Sequence, residues 1–183
     1  MKQLKAACDF GKGVLDVERK YAKSSTGELE LNGEKGYFLV STPRTEAIVS
    51  DRDAKLASGL MTAHIQKGFA SVSASSLDGK PIASSNRMLV LHLTDSLNTM
   101  MKFRDKSMAV LESFGQPPHL ARRGVADMTL RLEPGATPKV YGLDLAGRRL
   151  GELPSTFSKE GQLSFIVDTF AFKTPCFVYE IVR

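Results

Sequence analysis

Short apolar runs, each interrupted by turn residues before it could complete a helix, leave this chain with strands as its main building element. Glu28-Leu29-Glu30-Leu31 alternates polar and apolar positions, Asn32-Gly33 tolerates positive φ, and Tyr37-Phe38-Leu39-Val40 resumes the extended pattern. The spacing predicts a hairpin there and a second one from Ser71–Ser75 through Asp78-Gly79 to Met88–Leu93. In Asp127–Leu132 the period is two, with Met128, Leu130 and Leu132 on one face and Asp127, Thr129 and Arg131 on the other. Further hairpins are predicted around Asp144–Gly147 and Glu160-Gly161, the latter leading into Leu163, Phe165 and Val167 on one face. Phe177–Val182 reads as a closing strand, preceded by Pro175, where a missing N–H does little harm.

About ten short strands joined by tight turns, with no long amphipathic helix between them, define an all-β chain: an antiparallel β-sandwich with little helix. Residues 24–183 form that sandwich in this reading, and residues 1–23 an N-terminal extension or linker. Within residues 9–23, Val14, Val17 and Tyr21 recur at helix-compatible spacing and fit either a short helix or an edge strand. Residues 95–125, with Asn98-Thr99-Met100-Met101 and the Gln116-Pro117-Pro118 break, predict a long loop or irregular crossover.

The chain has 183 residues, 42% of them hydrophobic, enough for one globular domain with a real core. Its net charge is +5, of which residues 1–23 carry +3, six basic residues less three acidic. No dense Lys/Arg run interleaved with aromatics accompanies that excess, and Arg122-Arg123 and Arg148-Arg149 read as turn flanks, so no nucleic-acid partner is expected. No apolar run approaches the roughly 20 residues that span a bilayer, so no membrane partner is expected either. Cys8 and Cys176 sit near opposite ends without the spacing of a zinc site or a redox pair, and a bridge between them is left open. Lys5 interrupts the lipoprotein-like start and no apolar segment precedes Cys8, so no export signal is read; export would need a leader upstream of Met1.

Chemistry-bearing patterns are sparse. His64, His92 and His119 stand apart from one another and from acidic or cysteine partners at metal spacing, so no metal and no cofactor is expected, and His92 reads as a hydrogen-bonded sheet histidine. No Gly-x-Ser-x-Gly elbow and no glycine-rich phosphate loop is present. Glu28, Glu30 and Glu34 read as the solvent face and turn of the first hairpin rather than a hydrolytic carboxylate pair. The seven methionines, among them Met88, Met100, Met101, Met108 and Met128, read as core filling. Trp is absent, Tyr numbers four, and the ten Phe occupy strand-like positions, which leaves few flat aromatic faces for sugar stacking. The single candidate ligand residue is Arg44 of Thr42-Pro43-Arg44. Pro43 makes that tripeptide a structural corner whose arginine satisfies carbonyls or an acidic side chain; the rival reading has Arg44 gripping an acidic sugar.

Several segments together resemble a known family. Ser25-Thr26-Gly27-Glu28-Leu29 and Gly36–Thr45 are similar to the opening of the β-rich C-terminal accessory domain of bacterial glycoside hydrolases that have a (β/α)-barrel catalytic domain. Phe69–Val72, Ser76–Ile82 and Ser85–Val90 look like that domain's central hairpin, and Lys139–Asp144, Gly147–Leu150 and Tyr179-Glu180 like its ending. The chain departs from the family pattern at Ser25, where aspartate is favoured, and at Ser41, where an acidic residue often precedes Thr-Pro-Arg. The resemblance implies a non-catalytic domain that supports or positions a catalytic barrel absent from this chain, with carbohydrate as a further partner and a secreted or periplasmic location if the whole protein is exported. Because the barrel carries the family's catalytic carboxylates, no catalytic residue transfers. The alternative readings are an independent carbohydrate-binding module, which needs an exposed aromatic patch or a polar groove, and a small enzyme assembled from distant residues.

Overall fold

The computed structural model of the chain describes residues 14–66 and 68–183, and the described residues are strands, turns and a single short 3-10 turn at Ile82–Ser84. In chain order the strands are β1 (Val14–Asp16), β2 (Tyr21–Lys23), β3 (Leu29–Asn32), β4 (Tyr37–Ser41), β5 (Thr45–Ser50), β6 (Ala54–Ser58), β7 (Met61–Ile65), β8 (Ala70–Ser76) and β9 (Arg87–Leu93). Then come β10 (Ser96–Thr99), β11 (Lys102–Phe103), β12 (Leu111–Ser113), β13 (Gln116–Ala121) and β14 (Val125–Arg131). The chain closes with β15 (Lys139–Leu143), β16 (Arg149–Leu153), β17 (Ser155–Phe157), β18 (Gln162–Asp168) and β19 (Val178–Val182).

All pairings are antiparallel. A ten-stranded sheet runs β1-β2-β3-β4-β5-β8-β9-β19-β15-β16, and a five-stranded sheet runs β17-β18-β14-β7-β6. Their facing sides share one apolar core: Ile48, Val72, Met88, Val90 and Ile181 from the large sheet meet Met61, Ile65, Met128, Leu130 and Leu163 from the small one. Burial follows the period-two pattern, since in β14 Ala126, Met128 and Leu130 are fully buried while Asp127, Thr129 and Arg131 point away. Each such large apolar side chain contributes about 1.5–3 kcal/mol on leaving water. The expected antiparallel all-β sandwich is therefore what forms, from more and shorter strands than expected.

Turn chemistry acts where the sequence places it. The Asp144 carboxylate accepts from the Ala146 and Arg148 amides at 2.9 Å each, and Gly147 supplies φ of 81°. The Asp78 carboxylate gathers Ser76, Ser85 and the Lys80 and Asn86 amides, which shapes the long β8–β9 connection. In the first hairpin the positive φ falls on Gly36 rather than on Asn32-Gly33, because the loop spans four residues between Asn32 and Tyr37.

Of the two readings for residues 9–23 the edge strand forms rather than the helix: β1 is the terminal strand of the large sheet, β1 pairs with β2 and β2 with β3, so described residues placed in an N-terminal extension join that sheet. Other expectations change. Residues 95–125 are not a structureless loop: β10 pairs with β13 and β11 with β12, giving a ribbon that runs out and returns. Its strands pair only with each other, so no buried face imposes an apolar alternation on their sequence. Met100 and Met108 stand exposed on this ribbon and Met101 half-exposed, so among the described methionines Met61, Met88 and Met128 fill the core. Phe165 is the one described phenylalanine that is fully buried, while Phe69, Phe114 and Phe170 are exposed. Cys176 is a buried free thiol donating toward the Leu143 and Val178 carbonyls; Cys8 lies outside the described residues.

Candidate functional site

Cross-strand register assembles a feature that no single segment announces. On the side of the large sheet turned away from the small one, Leu29, Val40, Ala47, Ser73, Leu91, Val178 and Leu143 stand in one transverse row. Leu15, Ala22, Leu31, Phe38, Val49, Ser71 and Leu93 form the next. None of these residues is charged, and all except Leu143 are half-exposed or exposed. At the strand spacing and rise of a sheet, the two rows cover about 450 Å² of flat surface. That is the scale of the largest apolar patch a monomer normally presents.

The first hairpin shows how the tertiary structure decides the orientation. Glu30 lies on the core side of the sheet, half-buried, accepting from the Tyr37 hydroxyl at 2.9 Å and paired with Lys23 at 3.6 Å, while Leu29 and Leu31 face outward. Of the three glutamates expected on the solvent face and turn of this hairpin, Glu28 and Glu34 are exposed, Glu34 in the turn, while Glu30 turns inward and Leu29 and Leu31 take the outer face.

A third row bounds the apolar face with charge: Thr45, Ser75, Leu89, Glu180, Tyr141 and Glu152. Glu180 is buried between Arg87 Nε at 2.7 Å and Arg149 Nη2 at 2.7 Å, and Arg149 stacks 3.9 Å above the Tyr141 ring. Burial works to raise the Glu180 pKa, but the two guanidiniums together hold it below the usual carboxylate value.

At the Leu93 end of the face the sheet opens into a groove of ≈ 1050 Å³. Its apolar walls are Leu93, Leu120, Leu145, Leu150, Pro175 and Phe177; Asp95, Ser96, His119, Asp144, Arg148 and Thr174 supply the polar atoms. One wall is the base of the β10–β13 ribbon, tied to the sandwich by Thr94 Oγ1 donating to the Arg122 carbonyl at 2.7 Å and the Arg122 amide donating to the Asp95 carbonyl at 2.8 Å. The opposite wall is the β15–β16 turn.

The predicted candidate residue lies elsewhere. Thr42 closes the corner through its own hydroxyl, which accepts from the Thr45 amide and donates to the Thr45 carbonyl, both at 2.9 Å. The Pro43 and Arg44 carbonyls accept from Ile82 and Ser76 amides. The Arg44 side chain is exposed and, among the described residues, makes no hydrogen bond or ion pair, so the corner does not depend on its guanidinium.

The titratable groups have structural surroundings. His64 bridges Asp53 at 3.0 Å and Asp127 at 3.2 Å, contacts that span 11 and 63 residues and so escape local motif reading. The hydrogen bond with Asp53 is the main reason its pKa is raised. Among the described residues no hydroxyl or thiol joins that trio as a nucleophile, and no cluster suits a metal ion. His92 is fully buried on the core side, and among the described residues neither ring nitrogen finds a partner, contrary to the hydrogen-bonded histidine expected. Gly124 packs so closely that a Cβ there would press on Nε2, and burial pushes the ring pKa down to about 4. Glu46, also buried, accepts from Ser58 Oγ at 2.8 Å and the Leu60 amide at 3.2 Å, with no cation beside it among the described residues; burial raises its pKa. Glu46 and Glu180 are on opposite faces of the large sheet, so they do not face each other across a cleft.

No family model, curated protein or solved structure matches this chain.

Proposed function

We propose that this chain is a non-catalytic β-sandwich accessory domain of a glycoside-hydrolase-like protein, which supports or positions a catalytic module by docking the outward face of its large sheet. The observation that carries this reading is the pair of charge-free rows across that face, bounded on one side by the Arg87–Glu180–Arg149 cluster. An uncharged centre with a charged rim is the anatomy of a protein–protein interface. The resemblance to the accessory domain supports the same reading: the segments that carry it lie mostly on β3, β4, β8, β9, β15, β16 and β19 and their turns, all strands of the large sheet.

An independent carbohydrate-binding module is supported less well. The groove offers one aromatic, Phe177, and an apolar floor, whereas sugar recognition wants ring faces and many directed hydrogen bonds.

The test is to mix the purified chain with the (β/α)-barrel glycoside-hydrolase modules of its source organism and follow complex formation by analytical ultracentrifugation. A one-to-one complex is expected, abolished by Phe38→Lys or Leu31→Lys while the circular dichroism spectrum and unfolding midpoint of the chain stay unchanged. Absence of any complex, or one indifferent to both substitutions, overturns the reading. So does aryl-glycoside turnover by the chain alone that disappears when one Asp or Glu is changed.

A further inference from the structure

We propose that the groove between the ribbon base and the β15–β16 turn binds an extended peptide segment that carries several apolar side chains and one lysine or arginine. The identity of the supplier, the docked catalytic module, rests on the accessory-domain reading; the chemistry of the groove does not.

The groove's volume, ≈ 1050 Å³, matches a cleft that takes several side chains, and its walls select apolar ones. Leu120 and Leu145 stand exposed on opposite lips, with Leu145 85% accessible, an exposure that a seated segment would relieve. Charge is distributed unevenly. The Asp144 carboxylate is already taken by Arg148 Nε at 2.7 Å and by two backbone amides, whereas the Asp95 carboxylate accepts no hydrogen bond among the described residues. A chain of net charge +5 thus presents, in this apolar groove, an anion unengaged among the described residues. The complementary occupant is apolar with a cation at one position, and a carboxylate that a seated segment covers disfavours an acidic residue there.

An extended backbone suits the walls. The ribbon is two-stranded, so β10 keeps one edge outside the pairing, β13 keeps one on which Pro117 and Pro118 carry no N–H, and β16 is the terminal strand of the large sheet. Edges of this kind accept an added strand through main-chain hydrogen bonds, while alternate side chains enter the groove. A two-stranded ribbon alone is marginally stable in water, and Met100 and Phe114 lie bare on it, so a segment seated along its base also gains from holding the ribbon.

The experiment is selection of the whole chain against a phage-displayed library of random peptides, followed by affinity measurement of the enriched peptide in synthetic form. The expected consensus has apolar residues at alternating positions and one Lys or Arg. Binding is expected to weaken about tenfold or more with Leu120→Asp, as for loss of a central apolar anchor, and by a smaller factor with Asp95→Asn. Replacing the peptide's cation by Glu is expected to abolish it, and Phe38→Lys on the sheet face to leave it unchanged. No enrichment, an acidic or wholly polar consensus, or binding indifferent to Leu120→Asp overturns the inference. A groove that selects no such peptide while the barrel complex still forms removes this inference alone. Peptide binding that persists where no barrel associates removes the accessory reading and leaves the groove as a peptide site.

Discussion

Acidification from pH 7 to 5 is expected to destabilise this protein by about 2 kcal/mol through one side chain, His92. Its ring is buried, both nitrogens lack partners among the described residues, and burial pushes the pKa down to about 4. In the unfolded chain the ring recovers an ordinary value of about 6.5. Below that value the unfolded state takes up a proton that the folded state refuses, so stability falls as the pH drops. The loss ends once the folded ring also titrates, near pH 4. A gap of about 2.5 units at about 1.36 kcal/mol each totals ~3 kcal/mol, of which about 2 has accrued by pH 5. His64 does not mimic this, because its pKa is raised: its contribution is complete below about 6.5 and is lost as the pH rises through the higher folded value. Glu46, raised by burial, works in the opposite sense, favouring the folded state as acid protonates it. The assay is urea unfolding at pH 7, 6 and 5 of the wild type and of His92→Leu, which keeps the volume and removes the titration. Leucine also eliminates two unpartnered nitrogens, so at pH 7 the variant is expected to be at least as stable as the wild type. If both proteins lose stability in parallel between pH 7 and 5, the reasoning is refuted.

Two further outcomes follow from the local geometry. Gly161→Ala is expected to cost about 1–3 kcal/mol, measured by thermal or chemical unfolding, because φ there is 84° and a Cβ would collide with the Leu132 carbonyl. By the same measurement Thr42→Ala is expected to cost about 1 kcal/mol, because the hydroxyl closes the β4–β5 corner with two hydrogen bonds, and Arg44→Ala almost nothing. A marked loss of stability on Arg44→Ala would return that arginine to a structural role.

The period of two in Asp127–Leu132, the positive-φ glycine after Asp144 and the leucine–phenylalanine–valine face of β18 are local properties. They are set within a few residues by pleat geometry and backbone sterics, and so an all-β antiparallel chain and most of its hairpins are legible in the residues alone. Alternation assigns residues to two faces but does not say which face another sheet will cover. In the first hairpin it points Glu28, Glu30 and Glu34 outward, and the tertiary structure keeps Glu28 and Glu34 exposed but turns Glu30 inward and Leu29 and Leu31 out, because β1–β4 extend one sheet whose other side meets the core. The ribbon at residues 95–125 carried no period at all, since a strand pair with neither face buried imposes none. His64 with its two aspartates, the unpartnered His92, the transverse apolar rows and the groove beside Asp95 each join residues from strands far apart in the chain. Which strands become neighbours is decided by burial of the whole, a non-local balance of free energy that only the folded chain resolves.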